Sequence, residues 1–376
     1  MKNLNWKKMN KPRIIISGGG TGGHIFPALS IADAIRETVP ESEILFVGAL
    51  GKMEMEKVPA AGYRIIGLPV AGLQRRVSVK NLALPFKVIE SVRMACRIIR
   101  DFKPDVAVGV GGYASAPLLW SASHKGIPCL IQEQNSFAGL TNRILSKRAS
   151  RICTAYEGME RFFPAQKIVL TGNPIRKEIH QPSEEERAEG YGFYGLDPEK
   201  RTVFVVGGSL GCGTLNRVMR KWVEEGGASK DYQVIWQCGR FYKEGVDEFL
   251  KGRSVPNLFC TDFIKRMDLA YAVSDLIISR AGAGTISELC VAGKATIFVP
   301  SPNVSEDHQT HNAMALVEKD AAAIIRDDRA QEQLIPAMES LLEDRERISA
   351  LETNILKLGK KDASQVIARE VLAFVK

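Results

Sequence analysis

Short runs of branched aliphatic residues alternate along this chain with longer stretches whose apolar positions recur every three or four residues. RIIIS (13–17), EILFVG (43–48), DVAVGV (105–110), PCLIQ (128–132), RICTA (151–155) and KIVLT (167–171) are unbroken apolar runs of strand length. Such runs suit strands buried on both faces of a parallel sheet. Between the first two, Ile25, Ala28, Leu29, Ala32 and Ile35 keep helical spacing, as does the stretch 85–100. This alternation predicts a doubly wound α/β domain. The rhythm breaks over TGNPIRKEIHQPSEEERAEGYGFYGLDPEK (171–200), whose turn residues and charge run mark a linker. It resumes with TVFVVG (202–207), QVIWQ (233–237), NLFC (257–260), DLIIS (275–279), ATIFVP (295–300) and AAAIIR (321–326). The predicted division is therefore 11–173 and 174–359, two Rossmann-like domains facing across a cleft. The tail from about 340 is helical in period, and its last helix, about 360–376, is able to pack back on the first domain.

Bulk properties narrow the class. The 376 residues exceed one ordinary core. Lys+Arg 51 against Asp+Glu 43 gives a formal charge of +8, which favours anionic partners: phosphorylated substrates, an acidic membrane surface or nucleic acid. The seven cysteines are scattered without C-x-x-C spacing, as in a reducing cytosol. The N-terminus is basic, with an apolar stretch too short for a signal peptide, and no run reaches the roughly 20 residues of a spanning helix. Membrane contact is expected to be peripheral.

Three strands run into glycine-rich turns that open helices: GGGTGGH (18–24), GGSLGCGTLN (207–216) and RAGAGTISE (280–288). Glycine lets backbone approach a ligand closely, and the first amides of a helix lack partners and sit at its positive end. Such turns suit phosphate. Gly18, Gly20 and Gly23 satisfy G-x-G-x-x-G, so a nicotinamide-dependent oxidoreductase is an alternative. That reading wants an acidic residue closing the second strand, but the strand ends FVGALGK and Glu54 comes late. In the third loop, Glu288 stands one turn into a helix, where it either accepts ribose hydroxyls or completes a capping box with Thr285.

Sugar transfer needs a base for the attacking hydroxyl and stabilisation of the departing diphosphate. No D-x-D closes a strand, and Asp327-Asp328 lies in a polar turn, so loop amides are expected to replace a metal. No metal and no cofactor is expected. His24 opens a helix beside the loop amides, where a helix N-terminus disfavours the imidazolium; it is the candidate base, or else a ring that merely bonds backbone. His308 and His311 beside Asp307 lack an evident third metal ligand. The segment 70–103 holds eight Lys or Arg against Glu90 and Asp101, with apolar residues interleaved. Within it 72–87 is the candidate for an anionic membrane surface. Nucleic acid fits less well, because only one aromatic, Phe86, interrupts 72–87.

Taken together the sequence resembles the MurG family of bacterial N-acetylglucosaminyltransferases. The resemblance rests on GGGTGGHIFPALSIADAI (18–35), VGVGGYASAPLL (108–119), EQNSFAGLTNRIL (133–145), TGNPIR (171–176), GGSLGCGTLN (207–216), DFIKRM (262–267), SRAGAGTISEL (279–289) and HQTHNA (308–313). It implies the metal-independent, inverting GT-B architecture. It implies transfer of N-acetylglucosamine from its UDP donor to the 4-hydroxyl of an undecaprenyl-diphosphate-linked N-acetylmuramoyl pentapeptide, at the cytoplasmic face of the inner membrane and beside the cell-wall machinery. A sister acceptor, another lipid, stays open. By motif, Thr21, Gly22 and Gly23 line the cleft, Asn135 and Gln309 contact the donor sugar, and Arg176 and Ser209 hold the nucleotide. Ile264 meets the uracil; Ala283, Gly284, Thr285, Ile286, Ser287 and Glu288 take phosphates and ribose. Gly18, Gly19, Gly20, Gly111, Gly112 and Tyr113 form the acceptor-diphosphate loop, and His24 matches the proposed base. Two departures stand out. QEQN (132–135) replaces the family's HEQN, and Cys212-Gly213 replaces an alanine and arginine, which is expected to loosen the following helix start.

Overall fold

The computed structural model describes residues 11–70, 84–208 and 210–375. The chain divides into two compact units, one ending at Ile175 and rejoined by Asp362–Lys376, the other Arg176–Lys361.

In the first unit β1 (Arg13–Gly18), β2 (Glu43–Ala49), β3 (Arg64–Leu68), β4 (Val106–Gly111), β5 (Cys129–Glu133), β6 (Arg151–Thr154) and β7 (Ile168–Leu170) form one parallel sheet. Its order is β3-β2-β1-β4-β5-β6-β7. Parallel neighbours require crossovers, and α1 (Gly22–Thr38), α2 (Glu54–Ala60), α3 (Leu84–Phe102), α4 (Ser115–His124) and α5 (Leu140–Ser146) supply them. Helices cover both faces, which is why β1 is apolar without alternation. Ile14 and Ile16 pack in one core with Ile31 and Ile35, while Ile15 packs in the other with Leu118 and Ile131. The strand β3 goes beyond the elements expected from the apolar pattern. It is a short edge strand, RIIGL, with only Gly67 and Leu68 buried, so its apolar signal is weak.

In the second unit β8 (Arg201–Val206), β9 (Tyr232–Gln237), β10 (Leu258–Thr261), β11 (Leu276–Ser279), β12 (Thr296–Phe298) and β13 (Ala323–Ile324) are again all parallel, in the order β10-β9-β8-β11-β12-β13. Its helices are α6 (Glu184–Tyr194), α7 (Gly213–Glu224), α8 (Lys243–Leu250), α9 (Met267–Val273), α10 (Ala283–Ala292), α11 (His308–Val317), α12 (Ala330–Glu343) and α13 (Arg345–Leu356). The charge run of the linker starts α6 with a capping box: Glu186 N donates to Ser183 Oγ at 3.2 Å, and Ser183 N returns a bond to Glu186 Oε2 at 2.8 Å. The last helix, α14 (Ala363–Leu372), returns to the first unit. Ile367, Val371 and Leu372 enter the core that holds Ile31 and Ile35, and Glu370 meets Arg151 at 2.9 Å.

Each sheet reverses its order once, between β1 and β4 and between β8 and β11. Loops leaving the carboxyl ends there turn to opposite sides and open a crevice, the place where open α/β sheets bind ligands. Two of the three glycine turns predicted from sequence leave β1 and β11, and the third leaves β8.

Candidate functional site

In the first unit the turn after β1 meets the turn after β4. Gly18 pairs with Gly111 after a register shift between Ser17 and Gly18. Ser115 Oγ, at the start of α4, ties the two turns by its contacts with Ser17 O at 3.1 Å and Gly111 O at 2.8 Å. The fit needs glycine. A Cβ on Gly112, whose φ is +88°, would stand 2.3 Å from Gly19 O. One on Gly111, at φ +104°, would stand 2.6 Å from Cδ2 of His24 and 2.8 Å from its Nε2. Gly18, Gly19 and Gly111 are buried, so these three build the turn, while Gly20, Thr21, Gly23 and Tyr113 are exposed members of it and Gly22 and Gly112 half-exposed.

The histidine has a defined setting. Its Nδ1 lies 3.1 Å from Gly19 O, an acceptor, so in the neutral ring it is Nδ1 that carries the proton. Thr21 caps α1 in extended backbone without a side-chain cap bond, and its carbonyl accepts from His24 N and Ile25 N. The amides of Gly22 and Gly23 thus precede the first intrahelical bond and face outward at the positive end of α1.

Glu54 is the residue that sequence reasoning set aside as too late. It is fully buried; its Oε2 accepts from Gly20 N at 2.9 Å and its Oε1 from Ala49 N at 3.0 Å. Gly20's amide is therefore spent on protein and is not a donor for a ligand. A Cβ on Gly19 would stand 2.1 Å from Glu54 Oε1. The carboxylate does approach the first glycine turn, as a nicotinamide-binding reading would want. It bonds the turn's own backbone, a different task from gripping a ribose.

The QEQN segment ends β5 in a buried polar network. Gln132 donates to Asn173 Oδ1 at 2.9 Å, Gln134 to Val110 O at 2.6 Å, and Asn173 returns a bond to Gln134 O at 3.0 Å; Gln132 and Gln134 also meet each other. An amide at 132 thus links β5 to the GNP turn. Buried Glu133 accepts from Asn135 N, Gly139 N and Asn142 Nδ2, the last at 2.8 Å, and burial outweighs these bonds to push its carboxyl up. Asn135 is held half-exposed by Glu133 through backbone and side chain.

In the second unit the RAGAGT turn carries α10, capped by Gly282 with Ile286 N donating to Gly282 O at 2.9 Å. Gly284 and Thr285 precede that bond, so their amides lie at the helix's positive end. The capping box expected as an alternative for Thr285 and Glu288 does not form, since Gly282 takes the cap and no side chain bonds it. Glu288 instead pairs with Arg176 in a two-pronged bridge, Nε to Oε1 at 2.7 Å and Nη2 to Oε2 at 2.6 Å, and Tyr271 Oη adds a third bond at 3.2 Å. The carboxylate raises the Arg176 pKa further, against its own desolvation. Two residues expected to touch the nucleotide separately thus form one unit. Ser287 Oγ bonds back to Ala283 O at 2.9 Å. Ile286 is buried in the helix.

Arg280 and Asp327 were not singled out from sequence as site residues. Arg280 reaches the carbonyls of Val299 and Pro300 at 2.8 and 2.9 Å and Asp327 at 2.6 Å; Asp327 in turn accepts from Thr214 Oγ1 at 3.0 Å. One cation thereby braces the turn after β11 against that after β12 and against the start of α7. Cys212 corrects a second expectation. Its Sγ accepts from Leu215 N at 3.4 Å and serves as the N-cap of α7, so that helix start is held. Gln237 fastens the turn after β8, accepting from Gly207 N at 3.1 Å and donating to Gly208 O at 3.0 Å. Ser209 lies outside the described residues. Ile264 is 3% exposed, and its neighbours Phe263 and Lys265 are the exposed side chains. Gln309 Oε1 accepts from Ser301 N at 2.8 Å, fixing its amide at the start of α11.

Most of the predicted membrane segment, 72–83, also lies outside the described residues. The helices beyond it carry exposed apolar side chains: Val88 and Ile89 on α3, Trp120 on α4, and Leu140 and Ile144 on α5, with α4 packed against both α3 and α5. Lys87, Arg93, Lys147 and Arg148 are exposed on or beside the same helices. No helix among the described residues is long and apolar enough to cross a membrane.

Residues 14–154 match the N-terminal domain of glycosyltransferase family 28 and residues 202–367 match its C-terminal domain. Two parallel sheets, each with glycine turns at its switch point, are what that class requires. Over 367 residues the chain is 53% identical to the UDP-N-acetylglucosamine--N-acetylmuramyl-(pentapeptide) pyrophosphoryl-undecaprenol N-acetylglucosamine transferase of Parabacteroides distasonis, covering 98% of this chain and 99% of that one. The protein of the same name from Phocaeicola vulgatus is 55% identical over 362 residues, 96% of this chain and 95% of the relative. Among solved structures, Acinetobacter baumannii MurG superposes with a TM-score of 0.79 at 27% identity, over 97% of this chain and 100% of that one. The chain belongs to the MurG family of glycosyltransferases.

Proposed function

We propose that this protein transfers N-acetylglucosamine from UDP-N-acetylglucosamine to the 4-hydroxyl of an undecaprenyl-diphosphate-linked N-acetylmuramoyl pentapeptide. The observation that carries the reading is the 53% identity along 98% of the chain to a relative of that named activity. The local chemistry agrees. Nε2 of His24 takes the hydroxyl proton as the new bond forms at C1 of the donor sugar, and the bond from C1 to the diphosphate breaks on the opposite side, so UDP departs and the anomeric configuration inverts. The amides of Gly284 and Thr285, backed by Arg280, receive the charge that develops on UDP. The Arg176–Glu288 bridge presents a carboxylate fixed in place, with lone pairs to spare for ribose hydroxyls. The outward amides of Gly22 and Gly23, with Gly112 and Tyr113 beside them, receive the acceptor's diphosphate.

Docking at the cytoplasmic face of the inner membrane is assigned to the first unit. The exposed apolar side chains of α3, α4 and α5 with neighbouring Lys and Arg support it, since such a surface suits an anionic headgroup layer. The test is UDP release with UDP-N-acetylglucosamine and a panel of lipid acceptors, with and without EDTA. Turnover confined to the muramoyl-pentapeptide lipid and surviving chelation is the expected result. Equal turnover with a diacylglycerol acceptor would sink the acceptor assignment, and abolition by EDTA would sink the metal-free leaving-group chemistry.

A further inference from the structure

At the amino-terminal ends of β8, β11 and β12, opposite the glycine turns, the second unit holds a cavity of about 230 Å³. It is lined chiefly by charged groups: Arg187 of α6, Arg201 opening β8, Asp275 before β11, Lys294 before β12, and Arg345 and Glu352 from one face of α13. Several of these are already matched. Arg187 reaches Asp275 at 3.3 Å, and Asp275 also accepts from Thr202 N at 2.7 Å. Lys294 is buried, its Nζ donating to Ser274 O at 2.9 Å and Ala272 O at 3.4 Å, which leaves one of its three hydrogens for the cavity. The Glu352 carboxylate offsets the Lys294 charge. Arg201 and Arg345 have no carboxylate at ion-pair distance among the described residues. Counting Arg187, Arg201, Lys294 and Arg345 against Asp275 and Glu352 leaves two positive charges over a partly enclosed space.

Buried Lys294 beside half-buried Arg201 is costly unless a counter-charge completes the set, and exposed Arg345 adds its guanidinium at the rim of the cavity. The volume lies below the roughly 300–1,000 Å³ of pockets for drug-sized ligands, so it suits a compact anion. Guanidinium forks match phosphate oxygens in geometry as well as charge. We propose that this cavity is a binding site for a small phosphate anion, separate from the glycine turns that lie at the other end of the same strands.

The test is calorimetric titration of inorganic phosphate into the full-length protein, at ionic strength held constant with chloride, with and without excess UDP. The expected result is a saturable isotherm that persists when UDP is present. Arg201→Gln with Arg345→Gln should weaken it about tenfold or more, since each removes a charge-assisted hydrogen bond. Glu352→Gln, which removes a negative charge from the wall, should strengthen it, a change of sign that damaged folding would not produce. A response without saturation, loss of binding on adding UDP, or equal affinity in wild type and all variants would overturn the site. Should the double arginine variant misfold, the direction of the Glu352→Gln effect decides alone: weaker or unchanged binding refutes the proposal.

Discussion

The turns at the two switch points are alike in sequence and topology, yet they are braced by opposite charges. After β1, the buried Glu54 carboxylate lies behind Gly19 and Gly20 and takes the Gly20 amide. After β11, the Arg280 guanidinium lies behind the turn and bonds the carbonyls of Val299 and Pro300. Both devices fix a tight backbone turn, but their electrostatics differ. The carboxylate behind the first turn consumes one of that turn's own amides, whereas the guanidinium behind the second takes carbonyls only. Arg280 is itself matched by Asp327 at 2.6 Å, which ties the second turn to the start of α7 through Thr214. Glycine turns of one type are therefore held by different groups, and the division of labour proposed for them is proton abstraction at the first and leaving-group stabilisation at the second.

The largest effect is expected from His24→Ala, which removes the base and should lower kcat about 10²–10⁴-fold while leaving donor KM nearly unchanged. Steady-state kinetics with saturating acceptor check this, and near-normal turnover would discard the assignment. Next comes a crossed pair. Glu54→Ala leaves the Gly20 and Ala49 amides unsatisfied at a cost of about 1–3 kcal/mol each, so it should lower Tm and kcat with donor KM held. Arg280→Ala should instead raise donor KM, on the order of tenfold for about 1.4 kcal/mol of lost binding, with UDP affinity falling in step. If both variants shift the same kinetic constant, the division between the two turns is wrong.

Glu288→Gln comes third. It keeps the shape of the bridge but weakens the hold on Arg176, and should raise donor KM several-fold, about 1 kcal/mol of binding, with a small loss of Tm. An unchanged KM would show that the pair braces α10 and does not meet ribose. The smallest effect is Cys212→Ser. A hydroxyl is a stronger cap acceptor than a thiol, so Tm should rise by a degree or two, corresponding to about 0.5 kcal/mol, with kinetics unaltered. A fall in Tm would mean that the apolar burial of Cys212 outweighs its cap bond.

Much of the fold was legible beforehand because its signals are local. Runs such as IIIS and VFVV have no alternation, which only burial on both faces tolerates, and the spacing of Ile25, Ala28, Ala32 and Ile35 specifies a helix. The edge strand β3 escaped because an edge needs little apolar surface. Within the site, glycine turns and His24 were visible as motifs, but the partners of those motifs were not. Gln132 looked like a lost histidine; in place it is the buried link to Asn173.

The sequence by itself determined which segments become strands and helices, and which turns must be glycine, since both depend on backbone sterics and burial within a few residues. Tertiary structure alone decided that Arg176 would meet Glu288 across 112 residues, that Glu54 would reach Gly20 across 34, and that α14 would rejoin the first unit. Those pairings arise from the order in which parallel strands assemble. Crossover helices carry each strand end to a neighbour that no short-range period specifies, and a charged side chain takes its function from the partner found there.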